Sequence, residues 1–209
     1  MSKYLVVIII GLFIYSFINY KMINKLKIKR KDIIIINILE ISSIFLGSKL
    51  LDIIVYYNDY ANYNLKQILL IGFMVNGGII LRIIVIYLYS KLIDINVKKI
   101  FSIIVPNTLL LYSLLKLGCF INGCCYGINN IPLPIIESII YLFIYLYIIR
   151  NNNIISNSCI IFGILRIISF LIRDDINFNG LVVNIILCLC FIFSGIITYV
   201  YGFRKNINL

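Results

Sequence analysis

The chain contains no histidine, which removes the side chain most often used as a general base near neutral pH and as a metal ligand. Charge is scarce too: charged residues fill 13% of the 209 positions, against 62% hydrophobic residues and a mean hydropathy of +1.06. A soluble globule of this size would not be covered by so little polar surface, so that class is excluded. Acids are scarcer than bases, 8 Asp and Glu against 19 Lys and Arg, for a formal net charge of +11. The bases sit in short connections between apolar runs rather than on one face, a pattern of membrane orientation and anionic-lipid contact, not of nucleic-acid binding. Six cysteines without a long polar ectodomain do not make a disulfide scaffold, and no paired C-x-x-C zinc spacing occurs. No metal and no cofactor is therefore expected. Ala61 is the only alanine, and the surplus of Ile, Asn and Lys reads as the background of an A/T-rich genome.

What is present is a series of apolar runs. Seven of them, near residues 4–20, 33–57, 67–90, 100–121, 132–149, 154–172 and 181–203, have the length needed to cross about 30 Å of hydrocarbon. The expected fold class is all-α, a polytopic membrane protein with seven transmembrane helices in one integral membrane domain, residues 1–209. No linker or internal repeat divides it. The first run lacks a small-x-small cleavage site and leads into KMINKLKIKRK, so it is expected to stay as a span. Loop charge lies at Lys21, Lys25, Lys27, Lys29, Arg30 and Lys31, at Lys91, Lys98 and Lys99, at Arg150, and at Arg204 and Lys205. The alternate connections NDYANYNLK, INGCCYGINNI and RDDINFNG carry almost none. The positive-inside rule then puts the N-terminus outside and the C-terminus in the cytoplasm.

Ionisable groups inside spans cost roughly 2.5–3.5 kcal/mol each on insertion scales, so each needs a partner or a function. Here they are Glu40, Lys49, Asp52, Arg82, Lys116, Glu137 and Arg166. Position along the oriented spans assigns Lys49, Asp52, Lys116, Glu137 and Arg166 to the extracytoplasmic half, and Glu40 and Arg82 to deeper, structural positions. Two readings stand side by side. Ion pairs such as Lys116 with Glu137, or Lys49 with Asp52 three residues apart, lock helices together. Alternatively, three outward-half cations against two acids form a site for an anionic phospholipid headgroup.

Asn76-Gly77-Gly78 falls in the outer half of the third run, where paired glycines suit close helix packing or close approach of a lipid. Gly47 reads the same way. Residues 115–130, LKLGCFINGCCYGINN, put polar and small residues at the end of an apolar helix. That is the composition of a re-entrant or site-forming segment, followed by a turn restricted by Pro132 and Pro134. Its cysteines are open to three readings: incidental, a disulfide of Cys119 with Cys124 or Cys125, or a nucleophile whose pKa is lowered by Lys116. Cys159, Cys188 and Cys190 read as small core hydrophobes.

KLGCFINGCCYG resembles the signature G-R-x-G-N-F-x-N-G-E-x-x-G of the prolipoprotein diacylglyceryl transferase family, keeping Gly118, Phe120, Asn122, Gly123 and Gly127. GSKLLDIIVYYN, VNGGII, IPLPIIES and FGILRIISFLIRDD resemble further family segments in the same order, covering roughly residues 45–180. The resemblance implies a seven-helix bacterial membrane enzyme with its N-terminus outside. Arg166 and Glu137 match family positions. Lys116 stands at the signature Arg, Cys119 at the Asn, Cys124 at the Glu, and Asn76 at the catalytic-type His. Lysine keeps the charge without arginine's bidentate fork, and asparagine is no general base at neutral pH.

The resemblance implies transfer of a diacylglyceryl group from phosphatidylglycerol to the lipobox cysteine thiol of a prolipoprotein, at the outer side of the cytoplasmic membrane. The partners implied are that anionic lipid, the prolipoprotein signal peptide and the bilayer, with no nucleic acid. Arg166 and Lys116 would neutralise the phosphate, Glu137 would take the thiol proton, and Asn76 completes the catalytic set. Lys49, Gly77, Gly78, Gly118, Cys119, Asn122, Gly123, Cys124 and Gly127 are the expected substrate-binding residues. Two alternatives remain open: a non-catalytic lipid-binding or assembly relative of the same family, and a membrane thiol oxidoreductase built on Cys119, Cys124 and Cys125.

Overall fold

The computed structural model describes residues 3–60, 63–64, 67–68, 72–151, 153–173 and 178–207. Among them the secondary structure is helical apart from turns and two isolated bridges that Gly127 makes, with Ile131 and with Arg173. Seven long helices follow in order: α1 (Lys3–Asn24), α2 (Arg30–Val55), α3 (Val75–Leu92), α4 (Val97–Asn122), α5 (Leu133–Ile148), α6 (Ile154–Ile172) and α7 (Phe178–Ile207). Helices are what such apolar runs must form in lipid, because only internal bonding satisfies every peptide group there. A short turn of helix, Tyr57–Tyr60, follows α2.

Six of the seven are long and apolar enough to cross a membrane. Helix α5 is shorter, 16 residues or about 24 Å of axis against about 30 Å of hydrocarbon, so the apolar run at 132–149 overstated it. The third run, 67–90, also needs correction. Gln67 and Ile68 are helical, but α3 itself begins at Val75, after Gly72 at φ 71° and an extended Met74 whose N–H bonds to the Ser48 carbonyl at 3.0 Å. Hydropathy merged that connection with the helix behind it. Asn76-Gly77-Gly78 is consequently the first turn of α3. Residues 69–71 of the expected run, parts of the connections that carry little basic charge (61–62, 65–66 and 174–177) and the side chains of Arg204 and Lys205 lie outside the described residues.

Helix α2 lies along α3, α6 along α7, and α4 touches α1, α5 and α6. Asn96 starts α4 by accepting the Lys98 and Lys99 amides at 3.0 and 3.4 Å. At the α2/α3 crossing, a Cβ on Gly47 or Gly77 would run into the other residue's carbonyl, so backbone rests on backbone. Close packing of one helix on the other surrounds these glycines.

The inside and outside of the bundle are inverted relative to a soluble protein. Phe13, Ile54 and Phe193 point outward at 72%, 70% and 61% exposure, while Arg82 and Glu40 are fully enclosed at 1% and 0%. Those two inner charges are joined through Tyr15, whose hydroxyl accepts from Arg82 Nη1 at 3.0 Å and donates to Glu40 Oε2 at 3.3 Å. Asn19 also donates to Glu40, at 2.6 Å, and Asn107 donates to Asn19. The expectation that Glu40 and Arg82 hold helices together matches this network. Cys188 is buried as a core residue should be, but Cys190 faces outward and Cys159 is half-buried. The 3.6-residue turn places Cys188 and Cys190 on different faces of α7.

Candidate active site

Two buried cations converge on one carboxylate between α4, α5 and α6. Lys116, six residues before the end of α4, forms an ion pair with Glu137 Oε2. Arg166 of α6 brings Nη1 to 3.9 Å from Glu137 Oε1. Tyr112 sits between them: its hydroxyl accepts from Arg166 Nη1 and donates to Glu137 Oε1 at 3.3 Å. All three charged residues are enclosed, at 5%, 3% and 4% exposure for Lys116, Glu137 and Arg166.

Local sequence explains the convergence. Tyr112 and Lys116 are four apart and share a face of α4, and Arg166 and Phe170 share one on α6. The Arg166 guanidinium stacks 4.1 Å from the Phe170 ring centroid and 4.9 Å from that of Tyr112. Ser113 clamps α4 to α5 by donating to the Ser138 carbonyl at 2.7 Å, which fixes Glu137 one residue earlier. Two cations against one carboxylate leave a net positive charge in a dry place. Among the described residues, Arg166 Nε and the Tyr141 hydroxyl, both buried there, have no hydrogen-bond partner. An anion with several acceptor oxygens would satisfy that arrangement.

Other expected site residues are distributed around this centre. Asn76 is fully buried and donates to Asn184 Oδ1 of α7 at 2.8 Å, with Cys188 Sγ at 3.8 Å. Cys188 is in turn an electrostatic neighbour of Arg166, which puts Asn76 at the margin of the charged centre. Lys49 belongs to a second cluster. Its ammonium lies 3.6 Å from Asp52 Oδ2 and donates to the Tyr60 hydroxyl at 3.1 Å and the Gly72 carbonyl at 3.2 Å. Tyr60 also donates to Asp52, and burial, then that contact, pushes the Tyr60 phenol up. The sequence favoured the Lys49–Asp52 pair as one of two readings, but gave no sign of Tyr60. Gly77 and Gly78 pack against α2, and Gly118 is buried on α4.

The segment after α4 is a tied turn rather than a re-entrant helix. Gly123, in the left-handed region at φ 69°, ends the helix, and the Cys124 N–H returns to the Cys119 carbonyl at 3.1 Å. Asn122 and Gly123 are exposed, and Gly127 is fastened through its N–H to the Ile131 carbonyl at 2.9 Å. The sulfurs of Cys119, Cys124 and Cys125 all lie within 4.8 Å of one another. Burial, and then the Cys125 thiol beside it, pushes the Cys124 thiol up, the opposite of the lowering a nucleophile requires. Tyr112, Ser113 and Phe170 were missed by reading charges alone; the i, i+4 spacing of Tyr112 to Lys116 and Phe170 to Arg166 is the signal that identifies two of them.

Comparison with known proteins places the chain in a family. Over residues 1–201 the chain matches the family described as prolipoprotein diacylglyceryl transferase. It is 41% identical over 83 residues to the phosphatidylglycerol–prolipoprotein diacylglyceryl transferase of Clostridium tetani (strain Massachusetts / E88), a match covering 39% of this chain and 33% of that protein. To the protein of the same name from Clostridioides difficile (strain 630) it is 27% identical over 222 residues, covering 95% of this chain and 89% of that protein. A third, from Dehalococcoides mccartyi (strain ATCC BAA-2266 / KCTC 15142 / 195), is 35% identical over 91 residues, covering 43% of this chain and 35% of the relative. With six apolar helices long enough to cross a bilayer and a family match along nearly its whole length, this multi-pass membrane protein belongs to the prolipoprotein diacylglyceryl transferase family.

Proposed function

We propose that the chain transfers the diacylglyceryl group of phosphatidylglycerol to the lipobox cysteine thiol of a prolipoprotein, at the outer face of the bacterial cytoplasmic membrane. In this reading the single membrane domain crosses seven times, with the N-terminus outside and the C-terminus in the cytoplasm. The short helix α5 completes its passage with the segment that precedes it. The observation that carries the proposal is the buried surplus of positive charge, Lys116 and Arg166 around Glu137.

The headgroup phosphate occupies the space facing Arg166 and Lys116, with the acyl tails left in the bilayer. The thiol sulfur attacks the diacylglycerol carbon that carries the phosphate ester. A carbon–sulfur bond forms, the carbon–oxygen bond breaks, and its electron pair leaves with glycerol phosphate. Arg166 and Lys116 stabilise the negative charge on that leaving group. As the phosphate takes over these cations, Glu137 is released from them and accepts the thiol proton. Asn76 holds Asn184 and borders the site as an amide, a group that does not act as a base. Gly118, Cys119 and Asn122 at the end of α4 and Gly123, Cys124 and Gly127 on the turn after it border the substrate, and Lys49, paired with Asp52, orders the connection at Gly72 on the lipid's approach.

The test places purified protein in phosphatidylglycerol vesicles with a lipobox peptide and follows the peptide by mass spectrometry, with Arg166→Ala as control. A diacylglycerol-sized mass gain that the control lacks is the expected result. A folded preparation that binds phosphatidylglycerol but gives no gain sinks the transferase reading. It would favour instead the second reading, a lipid-binding relative without turnover. The specific observation behind that second reading is Asn76, fully buried and engaged with Asn184.

A further inference from the structure

The turn after α4 gathers three sulfur atoms that the ionic centre does not use. We propose that Cys119, Cys124 and Cys125 form a binding site for one thiophilic metal ion with a filled d shell, Zn2+ or Cu+. The spacing C-x4-C-C is not that of a zinc ribbon, and it becomes a site only through the fold. Cys119 lies on the last turn of α4, Gly123 reverses the chain in the left-handed region, and Cys125 follows with φ 64°. That path returns both adjacent cysteines to the side of the first. The three sulfurs all lie within 4.8 Å of one another, and Cys124 and Cys125 are 3.8 Å apart. Three thiolates at about 2.3 Å from a common ion stand about 3.8–4.0 Å apart, so closing this triangle on an ion takes under about an ångström of movement.

Donor chemistry points to a soft ion. Three sulfurs with no histidine in the chain disfavour hard cations such as Mg2+ or Ca2+ and favour Zn2+ or Cu+. All three cysteines are half-buried, so an ion can reach them without unfolding the bundle. On binding, metal–sulfur bonds replace three S–H bonds and the protons pass to solvent, with no change in oxidation state. Zn2+ would complete its coordination with water, whereas Cu+ is content with three sulfurs. The bound ion would join the end of α4 to the turn leading into α5, and so brace the pair of helices that carries Lys116 and Glu137. The inference does not depend on transferase activity.

The experiment titrates the reduced full-length chain in detergent, without oxygen, with Co2+ as a spectroscopic stand-in for Zn2+, and separately with Cu+ against a competing chelator. One equivalent bound, with a sulfur-to-cobalt charge-transfer band or a stoichiometric Cu+ signal, is expected. Affinity should fall at least about tenfold in Cys119→Ser and Cys125→Ser and be unchanged in Cys159→Ser and Cys190→Ser. In the unsubstituted protein, the ion should slow alkylation of Cys119, Cys124 and Cys125 but not of Cys190, mapped by mass spectrometry. The alkylation arm stands even where a serine variant does not fold. No stoichiometric uptake by folded, reduced protein overturns the proposal, as does uptake that is undiminished in a folded Cys119→Ser. A disulfide of Cys119 with either neighbour, together with no uptake after its reduction, would mark a redox pair instead and overturn it equally.

Discussion

Arg166 and Glu137 stand 3.9 Å apart across the α5/α6 boundary, with the Tyr112 hydroxyl bonded to both. Tyr112 thus bridges the pair and holds both side chains in place. Lys116 closes the other carboxylate oxygen. Each of the enclosed charges depends on the others.

Glu137→Gln removes the acid with which both Lys116 and Arg166 pair and leaves them buried with no counter-charge among the described residues. Breaking a buried pair from one side costs about 3–5 kcal/mol. The variant should melt at lower temperature in detergent, and added phosphatidylglycerol should restore more of the loss than a zwitterionic lipid does. Equal recovery with both lipids would contradict an anion site.

Arg166→Lys keeps the charge but gives up the planar group that stacks on Phe170 and meets Tyr112. Turnover in the vesicle assay should fall about 10²-fold or more, with lipid binding less affected, because the rigid donors act on charge that develops late. Turnover equal to that of the unsubstituted protein would show that a point charge suffices.

Gly47→Ala and Gly77→Ala each force α2 from α3 at the same crossing. Each should destabilise by about 1–3 kcal/mol, and the double variant should cost less than the sum, since the first substitution already opens the gap. Thermal unfolding of the four proteins reads the coupling. Strict additivity would mean that the two glycines do not meet.

Tyr60 gives a pH prediction. Its phenol is pushed above the ordinary value of 10.0 by burial and by Asp52, so the folded state favours the neutral form. A group raised in the folded state contributes stability that is complete below its unfolded pKa and is lost as pH rises through the folded one. Melting temperature should therefore fall as pH rises above about 10, and Tyr60→Phe should flatten that part of the profile. An unchanged profile in Tyr60→Phe would assign the alkaline loss to other groups.

Much of this was legible along the chain. Hydropathy found all seven helices, because apolar runs bounded by basic connections admit few other structures in lipid. It failed at 67–90, where Gly72 and Met74 are apolar but not helical, since hydropathy registers no backbone turn. The charges of the centre were visible individually as costly residues in apolar surroundings. Tyr112 and Phe170 were not, because aromatic residues are ordinary in such runs and only a shared helix face ties them to Lys116 and Arg166.

The sequence by itself determined that this is a helical membrane protein, that it belongs to one family of transferases, and that Lys116, Glu137 and Arg166 had to find partners. Those conclusions rest on solvation and on linear order, which need no coordinates. Tertiary structure decided the rest: that two cations share one acid, that Lys49 turns to Asp52 and Tyr60, that Asn76 is engaged with Asn184, and that three cysteines in C-x4-C-C spacing meet. Each is a contact between groups from different turns or different helices, set by how the helices cross and where Gly123 reverses the chain. Distance along the sequence carries no record of such crossings.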